Sequence, residues 1–318
     1  MPLVATPLSA CSGIQSALDP AGAEAEDVAA LFWVMVAGGA AIWLLVIGLL
    51  AYASRRRREP VSEKAAGRLI FWGGVAFPVT TLLALLAFAL WLMPGLRPWA
   101  AVDGDGLAIE VTGEQFWWRV AYRDGGGDPV LSANEIRLPA GERVELRLES
   151  ADVIHSFWIP SLGGKMDMIP GRTNRMSLLA TKEGTYRGPC AEYCGTSHAL
   201  MAFSVVVMAP DAFRQWLAGQ AAPSPAAGDD GAGSFLRNGC GACHRVAGTA
   251  ATGTLGPDLS HLGSRESLGA GILPNTREAI ARFIANPDRI KPGSKMPAFD
   301  MLPAGEIDAI AAWLETLE

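Results

Sequence analysis

Two runs without a charged residue, Val28 to Ser54 and Leu69 to Leu96, constrain this chain more than any other feature in it. Each exceeds the ~20 apolar residues that cross ~30 Å of hydrocarbon, and both carry Trp near their ends, as interface-anchored helices do. Buried helices of a large soluble core are the alternative, but those are shorter and amphipathic. A two-helix transmembrane hairpin over 28–96 is therefore predicted. The loop between the runs holds Arg55, Arg56, Arg57, Arg58, Lys64 and Arg68, whereas residues 1–54 contain neither Lys nor Arg. The positive-inside bias puts that loop in the cytoplasm, and both termini with everything after Leu96 on the outer face.

Composition adds a soluble part. With 36 Gly and 21 Pro, the 318-residue chain has too many turn formers to consist of membrane helices alone. Its net charge of −6 argues against nucleic acid as a partner, which demands basic stripes. In the N-terminal segment, 1–27, Leu8-Ser9-Ala10-Cys11 resembles the box cleaved and lipidated in bacterial lipoproteins, making Cys11 a candidate lipid anchor. An unmodified thiol is the alternative, because no basic residue precedes the box.

Residues 101–218 read as short alternating stretches, LAIEVTG, ERVELRLES and MAFSVVVM, punctuated by Gly, Pro and Asn. That period-two pattern predicts an antiparallel sandwich or barrel. Within it, C-A-E-Y-C-G-T-S-H-A-L-M at 190–201 fills a loop between a strand ending near Arg187 and one starting near Ala202. His155 lies upstream in DVIHSFWIPSLGG. Thiolates, imidazoles and a thioether form a soft set suited to copper. A single blue-copper ion takes one Cys, so two Cys give one metal a thiolate too many. Two coppers bridged by Cys190 and Cys194 resolve this. Each then takes one imidazole, from His155 or His198, and one weak ligand, from Met201 or the Glu192 carbonyl. A disulfide or a structural zinc site are the alternatives; neither accounts for Met201 or Glu192.

Residues 219–234, GQAAPSPAAGDDGAGS, read as a flexible linker with an r.m.s. span of about 20–24 Å. It would hold the last module, 235–318, at roughly millimolar effective concentration over the one before it. Both soluble modules are net negative, so the linker rather than bulk charge is expected to keep them together. An external donor would be basic or dock through an apolar haem edge. Cys240-Gly241-Ala242-Cys243-His244 is the C-x-x-C-H attachment site of c-type haem, its thiols adding to the vinyl groups and His244 ligating iron. A thioredoxin-type dithiol would need a βαβ context, and a zinc site a second ligand pair.

The two N-terminal apolar runs, GEQFWWRVAY at 113–122, HSFWIPSLGGKMD at 155–167 and the 190–201 loop together resemble subunit II of the haem-copper cytochrome c oxidases. The resemblance covers roughly residues 25–218. It implies an all-β cupredoxin-like fold, a binuclear copper A centre at the positions named, and electron transfer to haem a of subunit I, with subunit III as a further partner. It also implies magnesium at the subunit interface on the Glu192 carboxylate. It places Phe116, Trp117 and Trp118 at the electron inlet, where the family usually begins with Trp; core packing is the competing role for the Trp pair. Between Leu69 and Pro78 there is no carboxylate to open a proton pathway.

The C-terminal part resembles a small all-α class I cytochrome c. Gly256-Pro257-Asp258-Leu259 follows the haem site, Lys295-Met296-Pro297 forms a loop, and GEIDAIAAWLETL forms the last helix. The likeness makes Met296 the distal iron ligand, with Met301 a weaker candidate. His261 is expected at the surface or the haem edge. The implied whole is a multidomain oxidase subunit of a bacterial inner membrane with a fused cytochrome c. Its external donor would be a cytochrome c or a quinol–cytochrome c reductase. A membrane-tethered carrier serving another reductase is the alternative.

Overall fold

The computed structural model describes residues 11–55, 61–96, 107–124, 127–223 and 230–318. The Leu8-Ser9-Ala10 box and Arg56–Arg58 lie outside them; Cys11 lies within and is exposed. Helix α1 (Ala23–Arg55) and the stretch Glu63–Leu92 are long and apolar enough to cross a membrane. Both helices begin before the uncharged runs do, taking in Glu24 and Glu26 in one case and Glu63 in the other. Acids in a first turn suit the positive end of the helix dipole. The second crossing is α2 (Glu63–Phe71) and α3 (Phe77–Leu92), joined by a π-helical turn at Trp72–Ala76. Pro78 explains the widening: it has no N–H for the Gly74 carbonyl, and its ring crowds that turn.

The middle module is a sandwich. Its strands are β1 (Ala108–Glu114), β2 (Trp117–Arg123), β3 (Val130–Ala133), β4 (Glu135–Pro139), β5 (Arg143–Ser150), β6 (His155–Phe157), β7 (Met166–Met168), β8 (Asn174–Leu179), β9 (Gly184–Pro189) and β10 (Ala202–Met208). One sheet has the order β3-β2-β1-β5-β8, the other β4-β10-β9, and β6 pairs with β7. The expected antiparallel arrangement is only partly right, because β1 runs parallel to β5 and β4 parallel to β10. Alternation reports which face of a strand is buried and says nothing about the direction of its neighbour. Helix α4 (Pro210–Ala221) closes the module, burying Phe213 and Leu217.

The N-terminal segment belongs to this module too. Ala21 N–H donates to the Ser161 carbonyl and Thr181 N–H to that of Ala21, while Gly22 pairs with Ala180. Glu24 is buried, ion-paired to Arg143, and accepts the Leu179 N–H at 3.0 Å. The first turn of α1 is thereby fastened to the sandwich.

The last module holds α5 (Asp230–Arg237), the short hairpin strands β11 (Ser267–Leu268) and β12 (Leu273–Pro274), α6 (Arg277–Ala285), α7 (Pro287–Ile290) and α8 (Ala304–Glu315). Helices enter the 219–234 stretch from both sides, α4 to Ala221 and α5 from Asp230. Its glycines serve close packing at one point. A Cβ on Gly231 would stand 2.3 Å from the Ala309 carbonyl oxygen, so Gly there lets α5 cross α8 with Phe235 against Trp313.

In the sandwich core the rings of Phe157 and Phe203 stack at 4.8 Å, and Trp118 meets both edge-on. Gly188 faces Phe203 across the β9–β10 pair, where a Cβ would sit 2.1 Å from the ring. Gly188→Ala should therefore overpack the core and cost about 1–3 kcal/mol. Calorimetry of the purified chain should show the sandwich transition lowered and that of the last module unchanged.

Candidate metal centre and haem site

The 190–201 loop is closed at its base: Cys190 N–H donates to the Met201 carbonyl at 2.8 Å, and Phe157 bridges to Cys190. That bridge delivers β6, and with it His155, to the sulfurs. The donors form a row. His155 Nδ1 lies 3.8 Å from Cys190 Sγ, Cys190 Sγ 3.9 Å from Cys194 Sγ, and Cys194 Sγ 3.7 Å from His198 Nδ1. Each sulfur also has a weak donor beside it, the Glu192 carbonyl 3.2 Å from Cys190 and Met201 Sδ 3.8 Å from Cys194. Both cysteines are free thiols, their sulfurs too far apart for the ~2.05 Å of a disulfide.

This donor set fits a pair of soft ions. For one tetrahedral zinc the two imidazoles would converge on one point, whereas here each imidazole addresses a different sulfur. The first proton leaves the thiol pair easily. Cys190 is held far below an ordinary thiol by the hydrogen bond from Cys194, helped by His155 and nearby backbone, against the opposing pull of burial. Cys194 is pushed far up by its hydrogen bond to Cys190, by burial and by that neighbour's charge. Bound cations would displace that second proton.

Several residues that shape the site are not evident in the sequence. Asp152, three residues before His155, accepts from His155 Nε2 at 2.9 Å, leaving Nδ1 facing the sulfurs. Burial pushes Asp152 up, but the Gln115 amide, His155, the Val153 amide and Lys295 outweigh it and hold the carboxyl at about 2. Gln115 Nε2 donates to the Cys194 carbonyl at 2.7 Å. A Cβ on Gly113 would stand 2.8 Å from the His155 ring, so only Gly fits beneath it. The Glu192 side chain is exposed.

The three aromatic candidates separate. Trp118 is wholly buried in the sandwich core, its ring 6.0 Å from that of His155. Trp117 lies under the Arg119 guanidinium at 4.7 Å. Phe116 is covered from two sides: a Cβ on Gly195 of the loop, or on Gly293 of the last module, would stand 3.2 Å from its ring.

In the last module His244 donates from Nδ1 to the Pro257 carbonyl at 2.8 Å, which leaves Nε2 free for iron. Burial lowers its pKa and favours the neutral, ligating form. Gly256 leaves room for the ring, since a Cβ there would stand 2.6 Å from it. Cys240 and Cys243 are half-buried. Met296 packs against the core of this module, whereas Met301 is 71% exposed, which separates the two sulfur candidates. His261 is buried rather than at the surface, with Nε2 donating to the Ala222 carbonyl at 3.0 Å. It pins the end of the 219–223 stretch.

The last module sits directly on the 190–201 loop. Ser197 Oγ donates to the Pro292 carbonyl at 2.6 Å, and Lys295 pairs with Asp152 at 3.0 Å. Arg119 and Arg137 donate to the Thr254 and Ser264 carbonyls. Contact, and not the linker alone, holds the modules together. Net charge gave no hint of this, because the contacts are single donors aimed at single acceptors.

The family profile "Cytochrome C oxidase subunit II, periplasmic domain" matches residues 125–209, and "Cytochrome c" matches 228–318. The chain is 31% identical to cytochrome c oxidase subunit 2 of Alkalihalophilus pseudofirmus, over 98% of this chain and 94% of that one. It is 33% identical to that of Bacillus sp. strain PS3, over 68% of this chain and 64% of the relative. Among solved structures, the periplasmic domain of subunit II of cytochrome oxidase of Bradyrhizobium japonicum is similar at 33% identity. It covers 38% of this chain and 96% of its own, with a TM-score of 0.35.

Asp152→Asn should leave the loop folded but weaken metal binding about 10–100-fold, as losing the outer partner of a ligating imidazole does. Competition with a graded chelator checks this, and an unchanged affinity would refute the role given to Asp152.

Proposed function

Because the chain belongs to the cytochrome c oxidase subunit 2 family, we propose that it is the electron inlet of a haem-copper oxidase and carries its own cytochrome c. Cys240 and Cys243 would hold haem c covalently, with His244 and Met296 as axial ligands. His155, Cys190, Cys194, His198, Met201 and the Glu192 carbonyl would hold a binuclear copper A centre. When bound, these groups supply one-electron carriers between an outside donor and haem a of subunit I, where oxygen is reduced. The observation that carries this reading is the His155–Cys190–Cys194–His198 row with the haem-binding module seated on it.

The protein's own residues orient and insulate. Asp152 and Gly113 fix the His155 ring, Gln115 steadies the Cys194 carbonyl, and the Phe157–Phe203–Trp118 cluster keeps water from the inner side of the sulfurs. A rigid, dry donor cage suits electron transfer, because little has to move when the charge changes. Phe116, packed between Gly195 of the loop and Gly293 of the haem-binding module, would lie at the electron inlet, with Trp117 next to it in the chain.

The proposed topology has two crossings of a bacterial inner membrane, by Ala23–Arg55 and Glu63–Leu92, with both soluble modules on the outer face. Subunits I and III would be partners in the bilayer, and the exposed Glu192 carboxylate would help hold magnesium against subunit I. The donor would be a cytochrome c or a quinol–cytochrome c reductase. Cys11, exposed, would carry a lipid, which the mass of the mature N-terminus checks.

The native complex should show haem c and an a-type haem together in a reduced-minus-oxidised spectrum. Its copper signal should be that of one electron shared by two ions, and the hyperfine pattern of a single copper would overturn the binuclear centre. Met296→Ala should abolish the weak red-region band of methionine-ligated ferric haem, and Met301→Ala should keep it.

A further inference from the structure

The β11–β12 hairpin has an unusual tip. Gly269, Ala270 and Gly271 all take left-handed φ, at 67°, 67° and 78°. For Ala270 this is a conformation that side-chain-bearing residues rarely adopt and that persists where surroundings over-determine it. The surroundings here are specific. The Ala270 carbonyl accepts the Ala202 N–H at 3.1 Å, and that of Gly271 accepts from the Arg187 guanidinium at 2.7 Å. The Gly269 carbonyl accepts from Lys291 Nζ at 2.8 Å. Lys291 is itself buried, and burial pushes its amine down to about 7.

Two of these donors belong to the sandwich, and their placement matters. Ala202 directly follows Met201 and opens β10, and its N–H is bonded across the module boundary. Ser197, which holds Pro292, directly precedes His198. The haem-binding module thus grips the C-terminal half of the 190–201 loop, just before His198 and just after Met201. Ala270 is 0% exposed, and the strand before it continues the seam through Ser267 with Ser204 and the Glu266 amide with Glu135.

We infer that the Gly269-Ala270-Gly271 tip is a docking key that fixes the haem-binding module in one place on the 190–201 loop. Electrons then pass between the two centres inside a preassembled unit rather than in encounters of a tethered domain. This rests on the function proposed above, and its residues are positioning residues that touch neither cofactor. A tethered domain must find its partner by diffusion in each transfer, so its rate would fall with solvent viscosity. A keyed one has no such step.

The test uses the full chain in its native complex. Hydrogen exchange at the peptide containing Ala202 reads docking directly, without any cofactor. Flash reduction of the haem followed by copper reduction, at graded glycerol concentrations, reads transfer. In the unaltered protein the Ala202 amide should be protected and the transfer rate independent of viscosity. Ala270→Glu forces a carboxylate into a closed seam, and should lose the protection and slow transfer about tenfold or more, with viscosity dependence appearing. Unchanged haem and copper absorption shows that both modules remain folded. Should Ala270→Glu fail to fold, Arg187→Met removes one key contact from the sandwich side and should speed Ala202 exchange. The inference is overturned by fast Ala202 exchange or viscosity-limited transfer in the unaltered protein, or by variants that change neither. Protected Ala202 in a chain that binds no copper or haem would overturn the proposed function and leave the key standing.

Discussion

Two buried thiols side by side cannot both carry charge unless cations sit with them, and the surroundings of Cys190 and Cys194 are arranged about that constraint. One proton leaves readily, the other is held, and the imidazoles at the two ends of the row each serve one sulfur. The strand ladder does the placing. The β9–β10 pair brings the two ends of the loop together, and the Phe157–Cys190 bridge adds a histidine from a distant part of the chain. In the proposed function, so fixed a set of donors suits ions that change charge in place, because little has to move when they do.

The same loop is also the seat of the last module. Pro292 reaches it at Ser197, Ala270 meets the adjoining Ala202, and Lys295 ends on Asp152, the carboxylate that orients His155. The outer support of His155, a proposed copper ligand, and the surface that receives the last module are therefore one structure. The exposed Lys295–Asp152 pair alone is worth little. The Pro292 and Ala270 contacts add to it on buried residues at Ser197 and Ala202.

What could be read from the sequence was chemistry confined to short strings. C-A-E-Y-C-G-T-S-H-A-L-M and C-G-A-C-H put their donors within one loop or turn, where spacing alone limits what they can bind. The sandwich and the apolar helices followed from periodicity, which needs only local order. Asp152 and Gln115 did not emerge, because their roles depend on a carboxylate meeting an amide across the fold. Gly-Ala-Gly at 269–271 is indistinguishable from an ordinary loop until its carbonyls are seen to be taken. The glycines of 231–233 misled in the other direction, since a close helix crossing and a flexible linker favour the same residue.

The fastening of Glu24 to Arg143 and to the Leu179 amide makes α1 continuous with the sandwich. A helix advances about 1.5 Å and turns about 100° per residue. In the proposed topology, the stretch between Glu24 and the bilayer is then both a ruler and a dial. Its length sets the height of the sulfur pair above the lipid, and its phase sets which flank of the sandwich faces the neighbouring subunit. Adding or removing a single residue there would leave every ligand in place and still aim the whole centre elsewhere.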